Sequence, residues 1–339
     1  MTKFKVGIIG CGNIFARHLE AINLNHDRFS LVAVCDTDSK RLNICATENK
    51  VPGFVNHREM LREMGNKINF ITIATPNSFH FPQAIDSLKA GKDILIEKPI
   101  DFRHARALEI NRIAKEQKRQ AFSVLQVRYN PTLKLVREAL KKDYLGKIRS
   151  ISLIQRWQRP EQYFDSWRSD IKIGGRTLYE VGIHYLDIIQ WLFGLPEVKA
   201  SATFSNKHTN IAFEDTVFAI LKFPSGASGS IEVTVASEPT NLECSISIIG
   251  SEGHIKIGGK ALDKIEAALF SNVISSEGWN KLVNKIENSL TPNSYGAYSG
   301  SCPNHPTLYK EIASGRGISV LEAVNSIKFI EAIYKKEIK

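Results

Sequence analysis

Four short runs in the first hundred residues constrain the fold more than anything else in the chain. They are FKVGIIG (4–10), FSLVAVCD (29–36), INFITIATP (68–76) and DILIEKP (93–99). Each is apolar nearly throughout and stops at a glycine, an acid or a proline. The segments between them carry helical spacing, as through Ile14, His18, Ala21 and Ile22. An apolar run without alternation belongs to a strand covered on both faces, and parallel strands need a crossover, usually a helix, between them. Strands alternating with helices therefore predict a doubly wound parallel sheet, to which QAFSVLQVRYNP (120–131) adds another strand.

Beyond Gly146 the texture changes. KIRSISLIQRWQ alternates, TVFAILKFPSGASGSIEVTV reads as a hairpin turning at Pro224, Ser225 and Gly226, and LECSISIIGSEGHIKIGG reads as a second hairpin. Alternation buries one face of a sheet and leaves the other for water or a partner, so this half is predicted to be an open, largely antiparallel sheet. Between its strands, TLYEVGIHYLDIIQWLF (177–193) repeats Leu178, Val181, Tyr185, Ile188, Ile189 and Leu192 at helical spacing. A chain of 339 residues fits two domains. The expected division is an α/β domain at 1–123 and an α+β domain at 124–339, with the amphipathic helix GISVLEAVNSIKFIEAIYKK packing back on the first.

The formal charge of +10 is spread along the chain rather than gathered into a basic stripe, which argues against nucleic acid and for an anionic small substrate. Five cysteines (Cys11, Cys35, Cys45, Cys244 and Cys302) are odd in number and lack metal-type spacing, so a reduced cytoplasm is expected. No apolar stretch approaches the ~18 residues that cross a bilayer. The run ending at Gly10 is too brief for a signal peptide, and neither membrane nor export is expected. The broad face of an open sheet needs covering, so a homo-dimer or homo-tetramer through the strands after Thr216 is expected.

IIGCGNIFARH (8–18) reads as strand, tight turn and helix. In a dinucleotide site the first glycine permits the turn, the second lets the backbone approach the pyrophosphate, and the third lets helix pack closely on strand. Gly10 and Gly12 match the first two, and Phe15 stands where the third belongs. Either the helix packs differently or the Phe points along the cofactor cleft. Asp36 closes the second strand where a carboxylate accepts an adenosine ribose diol and repels a 2′-phosphate, which favours NAD over NADP; its plainer reading is a turn residue before Thr37. Arg41 keeps NADP open.

Glu97, Lys98 and Pro99 close the fourth strand, at the carboxyl edge where such sheets bind ligands. A lysine there can hold a substrate hydroxyl or exchange its proton, and Pro99 sets the backbone that aims it. Glu180, His184 and Asp187 share a helix face by spacing, and an imidazole beside a carboxylate is a general base. A satisfied core histidine is the plain alternative, and a metal site lacks a nearby second His or Cys.

Taken in order, IIGCGNIFARH, VCDTD, IATPNSFH, EKPI, QVRYNP and GGRTLYEVGIHYLDIIQWLFG resemble the glucose-fructose oxidoreductase, inositol dehydrogenase and rhizopine catabolism (Gfo/Idh/MocA) family over nearly the whole chain. The resemblance implies a Rossmann domain, then an open antiparallel sheet whose face covers the nicotinamide, and NAD(P)-dependent oxidation or reduction of sugar-like alcohols. The family's catalytic lysine falls on Lys98 and its histidine on His184; many members carry Asp four residues before that histidine, and here Glu180 is longer by one methylene. The resemblance assigns the cofactor to Gly10, Gly12, Asn13, Ile14, Asp36, Thr75, Pro76, Asn77, His80, Glu97, Lys98 and Gln126. It assigns the substrate to Arg128, Tyr129, Asn130, Arg156, Trp167, Arg168, Tyr179, Asp187, Asn304 and His305, with no metal.

YFDSWRSDIKIGG (163–175) and CPNHPTLYKEI (302–312) resemble the branch that oxidises the 3-hydroxyl of UDP-N-acetylglucosaminuronic acid and related nucleotide sugars for surface polysaccharides. Arg156, Arg159, Arg168 and Arg176 offer guanidinium forks for a carboxylate or diphosphate, and one or two of them are expected to contact substrate. Trp157, Tyr163 and Trp167 offer stacking surfaces, or serve as core. Asn304 and His305 reach the sugar, or cap the helix that Pro306 begins. The competing readings are a dehydrogenase of a free polyol or sugar such as an inositol, an NAD-bound sensor without catalysis, and a glycosidase that uses NAD transiently.

Overall fold

The computed structural model describes residues 3–205, 207–286 and 304–338. In chain order the first elements are β1 (Phe4–Ile9), α1 (Phe15–Leu24), β2 (Phe29–Cys35), α2 (Ser39–Asn49), β3 (Gly53–Phe54), α3 (His57–Glu63), β4 (Phe70–Ile73), α4 (His80–Lys89), β5 (Asp93–Ile96), α5 (His104–Glu116) and β6 (Ala121–Ser123). They are followed by α6 (Pro131–Lys141), β7 (Ile148–Arg156), α7 (Ile183–Phe193), β8 (Glu197–Phe204), β9 (Thr216–Lys222), β10 (Ser228–Thr234), β11 (Glu243–Gly250), β12 (Gly253–Gly258), β13 (Lys264–Phe270), α8 (Val273–Ile286), α9 (His305–Ala313) and α10 (Val320–Lys335). Two compact units result. The first takes described residues within 1–125, 172–175 and 304–327, and the second those within 126–171, 176–303 and 328–339.

The first unit is built on a six-stranded parallel sheet of order β3-β2-β1-β4-β5-β6. Its central strands are apolar because they are covered on both faces: Val6, Ile8, Phe70, Ile71, Ile94 and Leu95 are fully buried. Strand order reverses direction between β1 and β4, the switch point at which doubly wound sheets bind ligands beyond the strands' carboxyl ends. Asp38 caps α2 by accepting the N–H groups of Lys40 and Arg41. β3, with two residues, is too short for any periodicity to announce it.

The second unit holds a seven-stranded sheet of order β13-β12-β11-β7-β10-β9-β8, antiparallel except where β10 runs parallel to β7. Both expected hairpins form, β9 with β10 and β11 with β12, and Gly226 (φ +87°) provides the left-handed turn of the first. Along β9, Val217, Ala219 and Leu221 point inward while Phe218, Ile220 and Lys222 are exposed. The strand expected over 120–131 stops at Ser123, and Gln126–Tyr129 forms a 3-10 turn instead. The reason is polar: Arg128 and Asn130 are buried through specific partners, Asp187 for the first and the carbonyls of Ala261 and Leu262 for the second, which a strand ladder does not offer.

Candidate active site

The glycine turn is built as its chemistry demands. Gly10 has φ +106°, and a Cβ there would lie 2.4 Å from the Ala74 carbonyl oxygen, so no side chain fits. A Cβ on Gly12 would meet nothing within 4 Å, which leaves that side of the turn open to a phosphate at the start of α1. Phe15 is the first residue of α1 and is buried. Asp36 accepts the N–H of Cys11 through Oδ2 (2.7 Å) and that of Asp38 through Oδ1 (2.8 Å). It is therefore a turn residue as well as a candidate ribose acceptor, since each oxygen keeps a second lone pair. Arg41 pairs with Asp38 at 3.2 Å. These residues fit a dinucleotide: an open glycine turn, a helix start, and a carboxylate closing the second strand.

The segment after β4 is tied down from both sides. Thr75 donates its hydroxyl to Gln83, and buried Asn77 donates to the Gly174 carbonyl. His80 is fully buried with Nε2 2.8 Å from the Thr75 carbonyl and Nδ1 2.7 Å from the Pro99 carbonyl. Burial holds its pKa below the ordinary histidine value, and a neutral ring donates to one of the two oxygens. His80 thereby joins the loop after β4 to the loop after β5. The Lys98–Pro99 peptide is cis, and Lys98 is half-buried. Burial would raise the Glu97 carboxyl, but the hydrogen bond from His18, with His305 beside it, holds it well below the usual carboxylate range.

In the second unit, Leu178–Gly182 forms a π-helical turn that runs straight into α7, and half-buried His184 sits in the first turn of α7. Such turns are rare and recur at functional sites. Of the three residues expected to share a helix face by spacing, Glu180 lies in the π turn and His184 and Asp187 lie on α7. Glu180 Oε1 accepts from Tyr163 Oη (2.8 Å) and Arg168 Nε (3.0 Å). Asp187 is committed to Arg128 and Gln190. Tyr179 is buried and lies against Tyr334, Tyr129 is half-buried under Lys134, and Gln126 is buried.

The arginines expected to offer forks have partners within the chain. Arg156 is bound to Glu232 at 2.6 and 2.7 Å and to Glu243 at 2.9 Å. Arg159 lies over Trp157 and Tyr163, Arg168 over Tyr163 and Trp167, and Arg176 pairs with Glu214 at 2.6 Å. Guanidinium groups are planar and multiply donating, so carboxylates and rings of the folded chain engage them first. Trp157 is core, buried and donating to the Lys260 carbonyl. Asn304 occupies the N-cap position of α9 without a side-chain cap bond, and His305 is buried. Arg128 and Asp187 occupy each other, and Asn130 serves the 261–262 backbone.

His18 is not singled out by the sequence, yet it contacts the residue before Lys98. It ends the motif IIGCGNIFARH, is fully buried on α1 and bonds Glu97. The signal was a histidine on the helix face shared with Ala21 and Ile22, where a buried polar group requires a partner.

The oxidoreductase family model with an NAD-binding Rossmann fold matches residues 4–125, and the GFO/IDH/MocA C-terminal domain model matches residues 133–256. The structure is similar to the WlbA dehydrogenase from Bordetella pertussis, crystallised in complex with NADH and UDP-GlcNAcA, with a TM-score of 0.87 and 28% identity over 99% of this chain and 96% of that one. In sequence the chain is 24% identical to levoglucosan dehydrogenase from Pseudarthrobacter phenanthrenivorans, over 78% of this chain and 71% of the relative. It is 23% identical to inositol 2-dehydrogenase from Rubrobacter xylanophilus, over 88% of each. With a glycine turn, a carboxylate-capped second strand and both domain models in place, the chain belongs to the GFO/IDH/MocA family of NAD-dependent oxidoreductases.

Proposed function

We propose that the protein oxidises a secondary hydroxyl of a sugar, foremost the 3-hydroxyl of a UDP-N-acetylhexosaminuronic acid or related nucleotide sugar, in surface-polysaccharide biosynthesis. The observation that carries this reading is the 28% identical likeness, across both units, to a dehydrogenase crystallised with UDP-GlcNAcA. NAD, when bound, would supply the hydride acceptor for the carbinol carbon. Either His184 or Lys98 takes up the single hydroxyl proton, and the pair stabilises the charge that develops on the oxygen. Glu180, fastened to Tyr163 and Arg168, anchors the residues before the π turn rather than relaying the proton. We assign catalysis to the cytoplasm as part of this reading, with which the free thiols of Cys11, Cys35, Cys45 and Cys244 are compatible.

A second reading, a dehydrogenase of a free sugar or polyol, is favoured by one specific observation. Arg156, Arg168 and Arg176 are each matched to a carboxylate within the chain, which leaves less positive charge for a diphosphate. The test is incubation with NAD and, in separate arms, UDP-N-acetylglucosaminuronic acid, levoglucosan and myo-inositol, following nicotinamide absorbance and product mass. Loss of two hydrogens from the nucleotide sugar supports the first reading, and turnover confined to the free sugars replaces it with the second. NAD binding without product in any arm points to a sensor. Lys98→Met is expected to abolish turnover while leaving NAD affinity nearly intact.

A further inference from the structure

The turn that carries Lys98 is held by side chains drawn from four separate parts of the sequence, all within the first unit. Glu97 Oε1 lies 3.1 Å from His18 Nε2 and 3.7 Å from His305 Nε2, and Oε2 accepts the Lys98 backbone N–H at 3.1 Å. His18 Nδ1 lies 3.0 Å from Tyr309 Oη, which lies 3.0 Å from Thr72 Oγ1. With Glu97 anionic, the protons take one order: His18 Nε2–H donates to the carboxylate, Tyr309 Oη–H donates to Nδ1, and Thr72 donates to Tyr309. His305 packs edge-on against His18, with ring centres 5.4 Å apart, and both residues are buried. The Glu97 N–H donates to the Ile73 carbonyl, and His80 contacts the Pro99 carbonyl. Three backbone groups of the turn, the N–H of Glu97, the N–H of Lys98 and the carbonyl of Pro99, are thus pinned.

We propose that Glu97, oriented by His18 and His305, is a positioning residue for Lys98, and that the His305–Tyr309 segment of α9 serves proton exchange at Lys98 rather than sugar recognition. A buried carboxylate carries a desolvation penalty that only close partners offset, so its three contacts define one orientation. Through Oε2 that orientation is passed directly to the Lys98 backbone. Displacing a reacting group by about 1 Å costs on the order of a hundredfold in rate, which makes such a frame consequential. The inference rests on the reading of Lys98 as the group that exchanges the substrate proton.

Glu97→Gln removes a charge from a buried cluster and endangers the fold, so the test uses His305→Asn and Tyr309→Phe in the full chain with NAD bound. The first readout needs no substrate: trace acetylation followed by mass spectrometry, comparing Lys98 with the other lysines. Both variants are expected to change Lys98 reactivity by about threefold or more, with melting temperature and NAD affinity little altered. Unchanged reactivity overturns the proposal. With whichever sugar is turned over, His305→Asn is expected to lower kcat about tenfold while KM stays within about threefold. A rise in KM alone assigns His305 to the sugar and overturns the proposal. Lys98→Met separates the two claims: retained turnover defeats the reading of Lys98 itself, whereas lost turnover beside an unaffected His305→Asn defeats only the positioning role. The ligand atoms of His18, Glu97 and His305 lie within 4.8 Å of one another, close enough for a divalent ion. One equivalent of zinc in the purified protein, lost in His305→Asn, would overturn the hydrogen-bonded frame in favour of a metal centre.

Discussion

Arg128 and Asp187 meet in a two-point ion pair, Nε to Oδ2 and Nη2 to Oδ1, each 2.7 Å long, with side chains only 4% and 1% exposed. The pair ties the 126–129 turn to α7, three residues beyond His184. Removing one partner strands the other charge in the interior. Asp187→Ala is expected to destabilise the protein by about 3–5 kcal/mol, read from urea unfolding at neutral pH. A loss below about 1 kcal/mol would mean that water reaches the pair.

Asp36 joins the end of β2 to the glycine turn, and its role as ribose acceptor is a proposal that substitution tests. Asp36→Ala is expected to weaken NAD binding by about tenfold and to narrow the preference for NAD over NADP, because both an acceptor and a repulsive charge are removed. Fluorescence titration with the two cofactors checks this. An unchanged preference would assign Asp36 to the turn alone.

Glu180 is bonded to Tyr163 and Arg168, and His184 lies four residues on, in the first turn of α7. A positioned general base contributes about 10²–10⁴ in rate, so His184→Asn is expected to lose at least a hundredfold in kcat. Glu180→Gln keeps its length and its contact with Tyr163, and is expected to lose no more than about tenfold. Equal losses in single-turnover measurements would return Glu180 to the proton relay.

His80 gives a pH dependence whose sign follows from its burial. Its folded pKa is depressed, so between that value and the unfolded one, about 6.5, the unfolded chain binds more protons. Stability is therefore full above about pH 6.5 and declines as pH falls through that window. Glu97, also depressed, adds a further loss below about pH 4.5, the unfolded carboxyl value. Urea midpoints from pH 8 to pH 5 are expected to fall, and His80→Gln is expected to flatten the slope. A profile as steep in the variant as in the parent would remove His80 as its source.

Phe218 and Ile220 leave 41% and 59% of their surface exposed on the outer face of β9, and Phe204 on β8 lies 6.0 Å from Phe218. Such an apolar patch on an open sheet suits a second copy of the chain. Ile220→Lys is expected to shift the protein to a smaller species in size-exclusion chromatography with light scattering. No shift from a dimer or tetramer would place the interface elsewhere.

Much of this was legible in one dimension. Apolar runs of four to seven residues announced β1, β2, β4 and β5, and turn chemistry announced the β9–β10 hairpin at Pro224–Gly226. The glycines were legible because backbone conformation is decided within a few residues: Gly10 has room for nothing larger. The π turn at Leu178–Gly182 was not legible, since its residues carry the same helical spacing as an α-helix and differ only in hydrogen-bond pattern. The partners of the arginines were not legible for a related reason. A sequence shows that Arg156 carries a charge but not that Glu232 and Glu243 lie on the strands beside it.

The sequence by itself therefore determined the parallel and antiparallel halves and the glycine turn between β1 and α1. Periodicity and turn geometry are short-range properties, each readable in a window of a few residues. Only the tertiary structure decided which buried polar groups satisfy one another. His18 and Tyr309, 291 positions apart, become partners because α1 and α9 pack together, and no local pattern encodes that encounter. Burial forces each polar group to find a partner, and the fold alone selects which one it meets.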